Sequence, residues 1–229
     1  MAVIERLQVR ACVFDAYGTL FDFASAAARV SDLLGDKTAA VSALWRDKQL
    51  QYTWLRALQG RHAPFMQVTT DALDFTLATH GIDNPAARAR LLEAYRTLDC
   101  FPEVPGVLRQ LKSAGFETAI LSNGTHGMLA DAMSAAGITE FIDHALSVDE
   151  VGVFKTHPRV YQLALERLKV PASAISFQSS NGWDAYAASD FGMRVVWCNR
   201  YAQQPERLPG HPNQVIQTLE ALPSLLELA

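Results

Sequence analysis

Apolar residues follow two different rhythms along this chain. Short, nearly unbroken apolar runs occupy Val9–Asp15, Thr118–Ser122, His144–Ser147, Ala174–Gln178 and Arg194–Cys198, each ending near glycine or polar turn residues. Runs of this length predict buried strands rather than helices. Between them lie helical patterns over Gly106–Ala114, Met128–Ala136, Pro158–Leu168, Trp183–Phe191 and Val215–Leu226. Such alternation predicts a parallel sheet with crossover helices on both faces. The stretch from Ala24 to Leu98 breaks the rhythm, with helical patterns over Ala26–Ala28, Ala39–Leu58, Val68–Thr79 and Ala86–Leu98 and no convincing strand. In the second of these, Leu44, Leu50, Trp54, Leu55 and Leu58 recur at helical spacing and read as its packed face, leaving Arg46, Asp47 and Lys48 elsewhere. The expected organisation is a core of residues 1–21 and 99–229, with a helical cap, 22–98, inserted after the first strand. An insertion there overhangs the carboxyl ends of the sheet, where open α/β sheets bind ligands.

Composition narrows the class. The chain has 229 residues, 49% hydrophobic and 19% charged, ordinary for a soluble domain with a sizeable core. With 20 Lys+Arg against 24 Asp+Glu, a net charge of −4 and no basic run, neither a nucleic-acid groove nor a membrane patch is expected. Met1–Arg10 mixes Glu5, Arg6 and Arg10 with apolar residues, so no signal peptide is expected there. No apolar stretch approaches the roughly 18–20 residues of a spanning helix. Three scattered cysteines, Cys12, Cys100 and Cys198, form no Cys-x-x-Cys pair and predict free thiols in a reducing, cytoplasmic setting. No His-x-x-x-His or His/Cys cluster points to a metal. His62, His80, His144 and His211 read as surface or loop residues, and His126 and His157 lie near the loops described next without an assigned role.

In a parallel sheet, residues just past each strand's carboxyl end face one crevice. Asp15 and Thr19 follow the first run, Ser122 and Asn123 the second, Lys155 the third, and Ser179, Ser180, Asn181 and Asp184 the fourth. Singly, Ser, Asn and Asp at such positions cap helices and close turns. Jointly they bring two carboxylates, a lysine, hydroxyls and amides to one pocket, which capping does not require.

These segments carry a family resemblance. Phe14-Asp15-Ala16-Tyr17-Gly18-Thr19-Leu20-Phe21-Asp22 resembles the first motif of the haloacid dehalogenase superfamily, an Asp nucleophile at a strand end. Leu121–Gly124 resembles the second motif, Phe154–Pro158 the third and Ser179–Asp184 the fourth, in matching order over essentially the whole chain. The resemblance implies an α/β fold, a Rossmann-like parallel sheet core with a helical cap inserted after the first strand. Most members are magnesium-dependent phosphatases with a second acid in the first motif and paired acids in the fourth. Here Tyr17 and Ser180 stand in those places, leaving Asp184. A departing halide needs no protonation, so this departure favours carbon–halogen over phosphoester chemistry. Leu44–Arg56 resembles the cap helix of L-2-haloacid dehalogenases, with Arg46 in the place of their halide-contacting arginine and Asp47 where they more often carry Gln.

The implied reaction is hydrolysis of short (S)-2-haloalkanoic acids to (R)-2-hydroxy acids through an ester on Asp15, with no metal or other cofactor. Arg46 and Asn123 are expected to hold the halide beside an apolar wall of Leu50 and Phe65. Ser122 and Lys155 are expected to clamp the substrate carboxylate. Asp184, paired with Lys155, is expected to orient the hydrolytic water, with Thr19, Ser179 and Asn181 as hydrogen-bonding support. Tyr17 and Trp183 are expected to wall the alkyl group, and Tyr161 to bond within the site. The expected partners are a small haloacid, the released halide and a second copy of the chain. Three other readings stand beside this one. They are a magnesium-dependent phosphatase, a non-catalytic small-acid binder, and a phosphonate-cleaving relative that needs an imine-forming cap lysine, for which Lys37 and Lys48 lie in no such motif.

Overall fold

The first strand, β1 (Ala11–Phe14), buries all four side chains, as a strand covered on both faces must. The computed structural model describes residues 9–227, so the reading of Met1–Arg10 lies outside the described residues except for Val9 and Arg10. After β1 come β2 (Phe21–Asp22), α1 (Ser25–Ala28), α2 (Ser31–Leu34), α3 (Thr38–Leu58), α4 (Phe65–Thr79), α5 (Pro85–Arg96) and β3 (Asp99–Cys100). Then follow α6 (Val104–Ser113), β4 (Glu117–Ser122), α7 (His126–Ala135), β5 (His144–Ser147), α8 (Pro158–Leu168), β6 (Ile175–Ser179), α9 (Gly182–Asp190), β7 (Arg194–Cys198), β8 (Gln214–Ile216) and α10 (Leu222–Leu225).

Six strands form one sheet in the order β5-β4-β1-β6-β7-β8, each neighbouring pair parallel. Phe14 at the end of β1 lies opposite Ile120 of β4 and Gln178 of β6. The chain leaves β1 for β4 and β5, then returns to β6 on the other side. The strand order therefore reverses beside β1, the place where open α/β sheets leave a binding crevice. Antiparallel pairing of β2 with β3 joins the points where the chain leaves for, and returns from, the helices α1 to α5. Among the described residues, no helix is long and apolar enough to cross a membrane.

Two sequence expectations fail. Val215–Leu226 is not one helix: Gln214–Ile216 adds an edge strand to β7, and only Leu222–Leu225 is α-helical. Val215 and Ile216 are β-branched and alternate exposed and buried, which suits an edge strand, and Pro223 fits the first turn of a helix rather than its interior. The packed face of α3 is also different. Val41, Trp45, Gln49 and Thr53 are its buried residues, at i, i+4 spacing, whereas Leu55 and Leu58 are 51% and 85% exposed. Two of them are satisfied from the neighbouring helices, Trp45 Nε1 donating to Thr69 O at 2.8 Å and Gln49 Nε2 to Thr69 Oγ1 at 2.7 Å and Tyr95 Oη at 2.9 Å, while Thr53 Oγ1 donates to Leu50 O of its own helix at 2.6 Å. Counting leucines misses a stripe built this way.

Candidate active site

The loop after β1 is folded tightly onto itself. The amides of Thr19, Leu20 and Phe21 all donate to Ala16 O, at 3.2, 2.9 and 3.0 Å, and Gly18 takes φ +91°, a left-handed conformation natural to glycine. This turn brings Thr19 Oγ1 to 3.0 Å from Asp15 Oδ2. The same Thr19 oxygen accepts the Ser180 amide at 2.8 Å, so its own proton is committed to Asp15. Asn181 Nδ2 donates to Asp15 Oδ2 at 2.7 Å and to Tyr17 O at 3.1 Å, and Ser179 Oγ stands 3.5 Å from Oδ2. The other oxygen, Oδ1, receives Lys155 Nζ at 3.0 Å.

Lys155 is 1% exposed and bridges the two carboxylates, its Nζ also donating to Asp184 Oδ2 at 2.8 Å. Tyr161 Oη donates to Asp184 Oδ1 at 2.8 Å, occupying the second oxygen. Asp184 lies in the first turn of α9, where the helix dipole favours negative charge. Burial opposes the charge on Lys155, yet Asp15 and Asp184 on either side hold its pKa above the ordinary lysine value. Burial pushes Asp184 above the ordinary carboxylate range, with Lys155 opposing and Asp15 adding to the rise. Burial and the adjacent Asp184 place the Tyr161 phenol well above its usual value.

Ser122 and Asn123, where β4 ends, tie two more loops together. Ser122 Oγ accepts the Gly124 amide at 3.0 Å, and Asn123 Oδ1 accepts the Lys155 amide at 3.0 Å. A Cβ on Gly124 would sit 2.9 Å from the ring of Tyr17, so that ring rests on bare backbone. Tyr17 stacks on Tyr95 with centroids 5.5 Å apart and leans on Phe65 at 5.6 Å. Phe65 is itself buried against Phe154 at 6.3 Å.

From the opposite side, α3 brings Arg46 over this cluster. Its Nη1 donates to Gln49 Oε1 at 2.9 Å, and its Nη2 to Asn181 Oδ1 at 3.1 Å and Tyr17 O at 3.4 Å. The guanidinium also lies 4.9 Å from the ring centre of Phe23. Every one of these acceptors is neutral, which leaves a fixed fork of donors with its charge unmatched, suited to an anion. Arg46, Leu50, Asn181, Trp183, Phe23 and Tyr201 line a cavity of about 710 Å3, and Trp183 meets Trp54 edge-on at 5.6 Å.

Of the residues singled out in the sequence, Arg46, Asp47, Leu50, Ser180, Asn181 and Trp183 thus reach the cavity. Asp15, Thr19, Lys155, Ser179 and Asp184 form a buried hydrogen-bonded layer beneath it. Tyr161 faces Asp184 and is 1% exposed, so it belongs to that layer and not to the cavity wall. Ser122, Asn123, Tyr17 and Phe65 are buried together to one side. Sequence reading missed Gln49, Phe23 and Tyr95. Gln49 carried a signal, since it lies three residues after Arg46 on the same helix face; Phe23 and Tyr95 carried none.

A family model described as haloacid dehalogenase-like hydrolase matches residues 9–192. The chain belongs to this hydrolase family. Among curated haloacid dehalogenase-like relatives, it is 45% identical over 219 residues to (S)-2-haloacid dehalogenase 1 of Pseudomonas sp. (strain CBS-3), covering 95% of this chain and 96% of that one. It is 44% identical over 199 residues to (S)-2-haloacid dehalogenase 4A of Burkholderia cepacia, covering 86% of each. The fold matches L-2-haloacid dehalogenase from Xanthobacter autotrophicus with chloropropionic acid covalently bound, at a TM-score of 0.90 and 36% identity over 96% of this chain and 98% of that one. The α/β fold expected from sequence is thus the fold of this hydrolase family.

Proposed function

We propose that this hydrolase cleaves the carbon–halogen bond of short (S)-2-haloalkanoic acids through an ester on Asp15, without a metal, giving the (R)-2-hydroxy acid, halide and a proton. The observation that carries the reading is the unequal restraint on Asp15. Its Oδ2 is held by Thr19 and Asn181, while Oδ1 has, among the described residues, a hydrogen bond from Lys155 alone. In the first step Oδ1 attacks C2 from the side opposite the halogen; the new C–O bond forms as the C–X bond breaks, and the centre inverts. Arg46, with Asn123, stabilises the departing halide beside Leu50 and Phe65, while Ser122 and Lys155 hold the substrate carboxylate and Tyr17 and Trp183 bound its alkyl group. Fixing carboxylate and carbon together supplies much of the rate of such a displacement.

In the second step water attacks the Asp15 acyl carbon. The carbonyl oxygen of the ester is then Oδ2, already surrounded by donors from Thr19, Asn181 and Ser179, which can stabilise the developing oxyanion without rearrangement. Asp184 takes the water's proton, aided by a pKa raised by burial, because a more basic carboxylate is a better proton acceptor. The tetrahedral intermediate then collapses: the bond to the substrate oxygen breaks, the leaving alkoxide takes back the proton from Asp184 to become the 2-hydroxy acid, and the Asp15 carboxyl releases its own proton to solvent as the carboxylate.

The donor set supports the metal-free reading over a phosphatase. Lys155 Nζ sits between the carboxylates of Asp15 and Asp184 and partners both. Tyr17 and Ser180, in the places of the further acids of the phosphatase pattern, supply no carboxylate to a magnesium ion. We read residues 22–98 as a cap over a core of 1–21 and 99–229, a reading supported by Arg46–Asn181, Trp54–Trp183 and His62–Asp149 contacts between them. Free Cys12, Cys100 and Cys198 suit a cytoplasmic protein, and exposed Leu55, Leu58 and Phe75 on α3 and α4 suit a homodimer, testable by sedimentation.

The deciding experiment measures halide release from L- and D-2-chloropropionate with EDTA present, beside p-nitrophenyl phosphate hydrolysis with magnesium. Release from the L substrate alone, unchanged by EDTA, is the expected result. Phosphatase activity abolished by EDTA, with no halide release, overturns the proposal. A single turnover in 18O-labelled water tests the ester: the label enters Asp15 rather than the hydroxy acid.

A further inference from the structure

Arg200, in the segment after β7, is a buried cation that the reaction as described does not use. Its side chain is 8% exposed, and so is nearly all of its partner Glu103 hidden, at 9%. Nη2 lies 2.6 Å from Glu103 Oε1 and donates to Thr19 O at 2.9 Å. The guanidinium carbon sits 3.9 Å from the centre of the Phe101 ring. Phe101 in turn donates its amide to Leu20 O at 3.0 Å, and Glu103 Oε1 accepts the Leu219 amide at 3.4 Å. One planar cation therefore gathers the loop that carries Asp15, the segment just after β3 and the C-terminal segment. A desolvated guanidinium persists only where its partners are well placed, and here one of them is the carbonyl of a residue that touches the nucleophile.

The consequence follows from Thr19. Its hydroxyl holds Asp15 Oδ2 on one side, and its carbonyl is held by Arg200 on the other. The turn in which it sits runs directly into β2, which pairs with β3 where the chain leaves and rejoins the helical block. Movement of that block would pull on Thr19 unless something fixed its backbone from the core side.

We propose that Arg200, supported by Glu103, is a positioning residue for the nucleophile: it fixes the Thr19 backbone so that Asp15 keeps Oδ2 restrained and Oδ1 aimed at the substrate whatever the position of the helical block. It touches neither substrate nor halide. This inference rests on the dehalogenase reading of Asp15.

The test is kinetic. Arg200→Lys keeps the charge but loses both the fork and the stacking over Phe101. Folded Arg200→Lys should lose kcat for L-2-chloropropionate by about 10–100-fold, as misplacement of a reacting group by a fraction of an ångström to an ångström does, with KM changed little. Glu103→Gln, which leaves an acceptor in place, should show a smaller loss of the same kind and carries the test if the lysine variant fails to fold. Thr19→Val supplies the discriminating background. If Arg200 acts through Thr19, the lysine substitution costs little further kcat there, whereas a role in general stability leaves the two losses multiplicative. Unchanged kcat in the folded variants, or multiplicative losses, overturns the inference and leaves the dehalogenase reading standing. Absence of halide release by the wild-type enzyme overturns that reading, and this inference falls with it.

Discussion

Replacing Arg46 with lysine tests whether the guanidinium stabilises a leaving halide or merely braces the cavity. Arg46 spreads its donors over Gln49, Asn181 and Tyr17, all uncharged, at 2.9 to 3.4 Å. An ammonium at the end of a shorter reach retains the charge but cannot keep those contacts and meet a halide in parallel. Losing one charged hydrogen bond to the developing anion removes about 1.5–3 kcal/mol. At 1.36 kcal/mol per decade this slows ester formation roughly 10- to 150-fold. Rapid-quench measurement of the ester in a single turnover isolates that step from hydrolysis. A second signature separates halide stabilisation from positioning. Chloride departs with more need of help than bromide, so the lysine variant should lose more on L-2-chloropropionate than on the bromo compound, widening the ratio between them. Equal losses on both substrates, or a raised KM with ester formation intact, would refute the assignment and make Arg46 a ligand of the substrate carboxylate.

Asp184→Asn should still form the ester but hydrolyse it at least about 100-fold more slowly, as loss of a general base does; intact-mass measurement should find the acyl adduct accumulating, and an unmodified chain after substrate addition would speak against the role. Because burial makes Asp184 hold its proton to higher pH than an ordinary carboxylate, kcat should fall on the acid side beginning above the ordinary carboxylate range, and an acid limb at the ordinary value would contradict the base assignment. Lys155 is raised, so its contribution to stability is present below the ordinary lysine pKa and lost as pH rises through the elevated one, which denaturant midpoints at alkaline pH can follow. Gly124→Ala places a methyl 2.9 Å from the Tyr17 ring, which is pinned by Tyr95, and should cost about 1–3 kcal/mol of stability while raising KM; an unchanged melting temperature and KM would show that the ring moves freely.

The central strands were legible because they are buried on both faces, so their sequence is apolar throughout; β8 was not, because an edge strand with Val215 exposed lacks that continuity. Asp15, Lys155 and Asp184 could be grouped from sequence because a parallel sheet sends the carboxyl end of every strand to one side, and the structure does bring both carboxylates within 3.0 Å of Lys155 Nζ. Two kinds of residue escaped. Gln49 lies in the buried stripe of α3 as a polar residue satisfied by Thr69 of α4 and Tyr95 of α5, partners invisible along α3 itself, and Thr53 hides its hydroxyl on Leu50 O within its own helix. Arg200 lies 181 positions from the Thr19 carbonyl it holds, in a loop where a lone arginine reads as solvent-exposed.

Charge balance links these parts into one argument. Asp15 and Asp184 are matched in number by Lys155 and Arg46, but only Lys155 is in direct contact with carboxylates; Arg46 is held in reserve on neutral acceptors. In the proposed reaction a substrate carboxylate adds one negative charge to this balanced site, so with Arg46 kept for the halide, neutral donors such as the Ser122 hydroxyl would share in holding it. Ester formation as proposed would then move the negative charge of Asp15 onto the halide without changing the total. The charge shifts from beside Lys155 toward Arg46, across a buried layer in which separations of charge are costly unless a partner waits at each end. Once the halide had left, the remaining pair of cations would face Asp184 and the substrate-derived carboxylate, and the site would be neutral while water is deprotonated. A second carboxylate at position 17 or 180, as in the phosphatase pattern, would add negative charge at the step in which halide must build up its own. On the proposed mechanism, Tyr17 and Ser180 are therefore more than absent metal ligands: their neutrality leaves Arg46 to serve the leaving group.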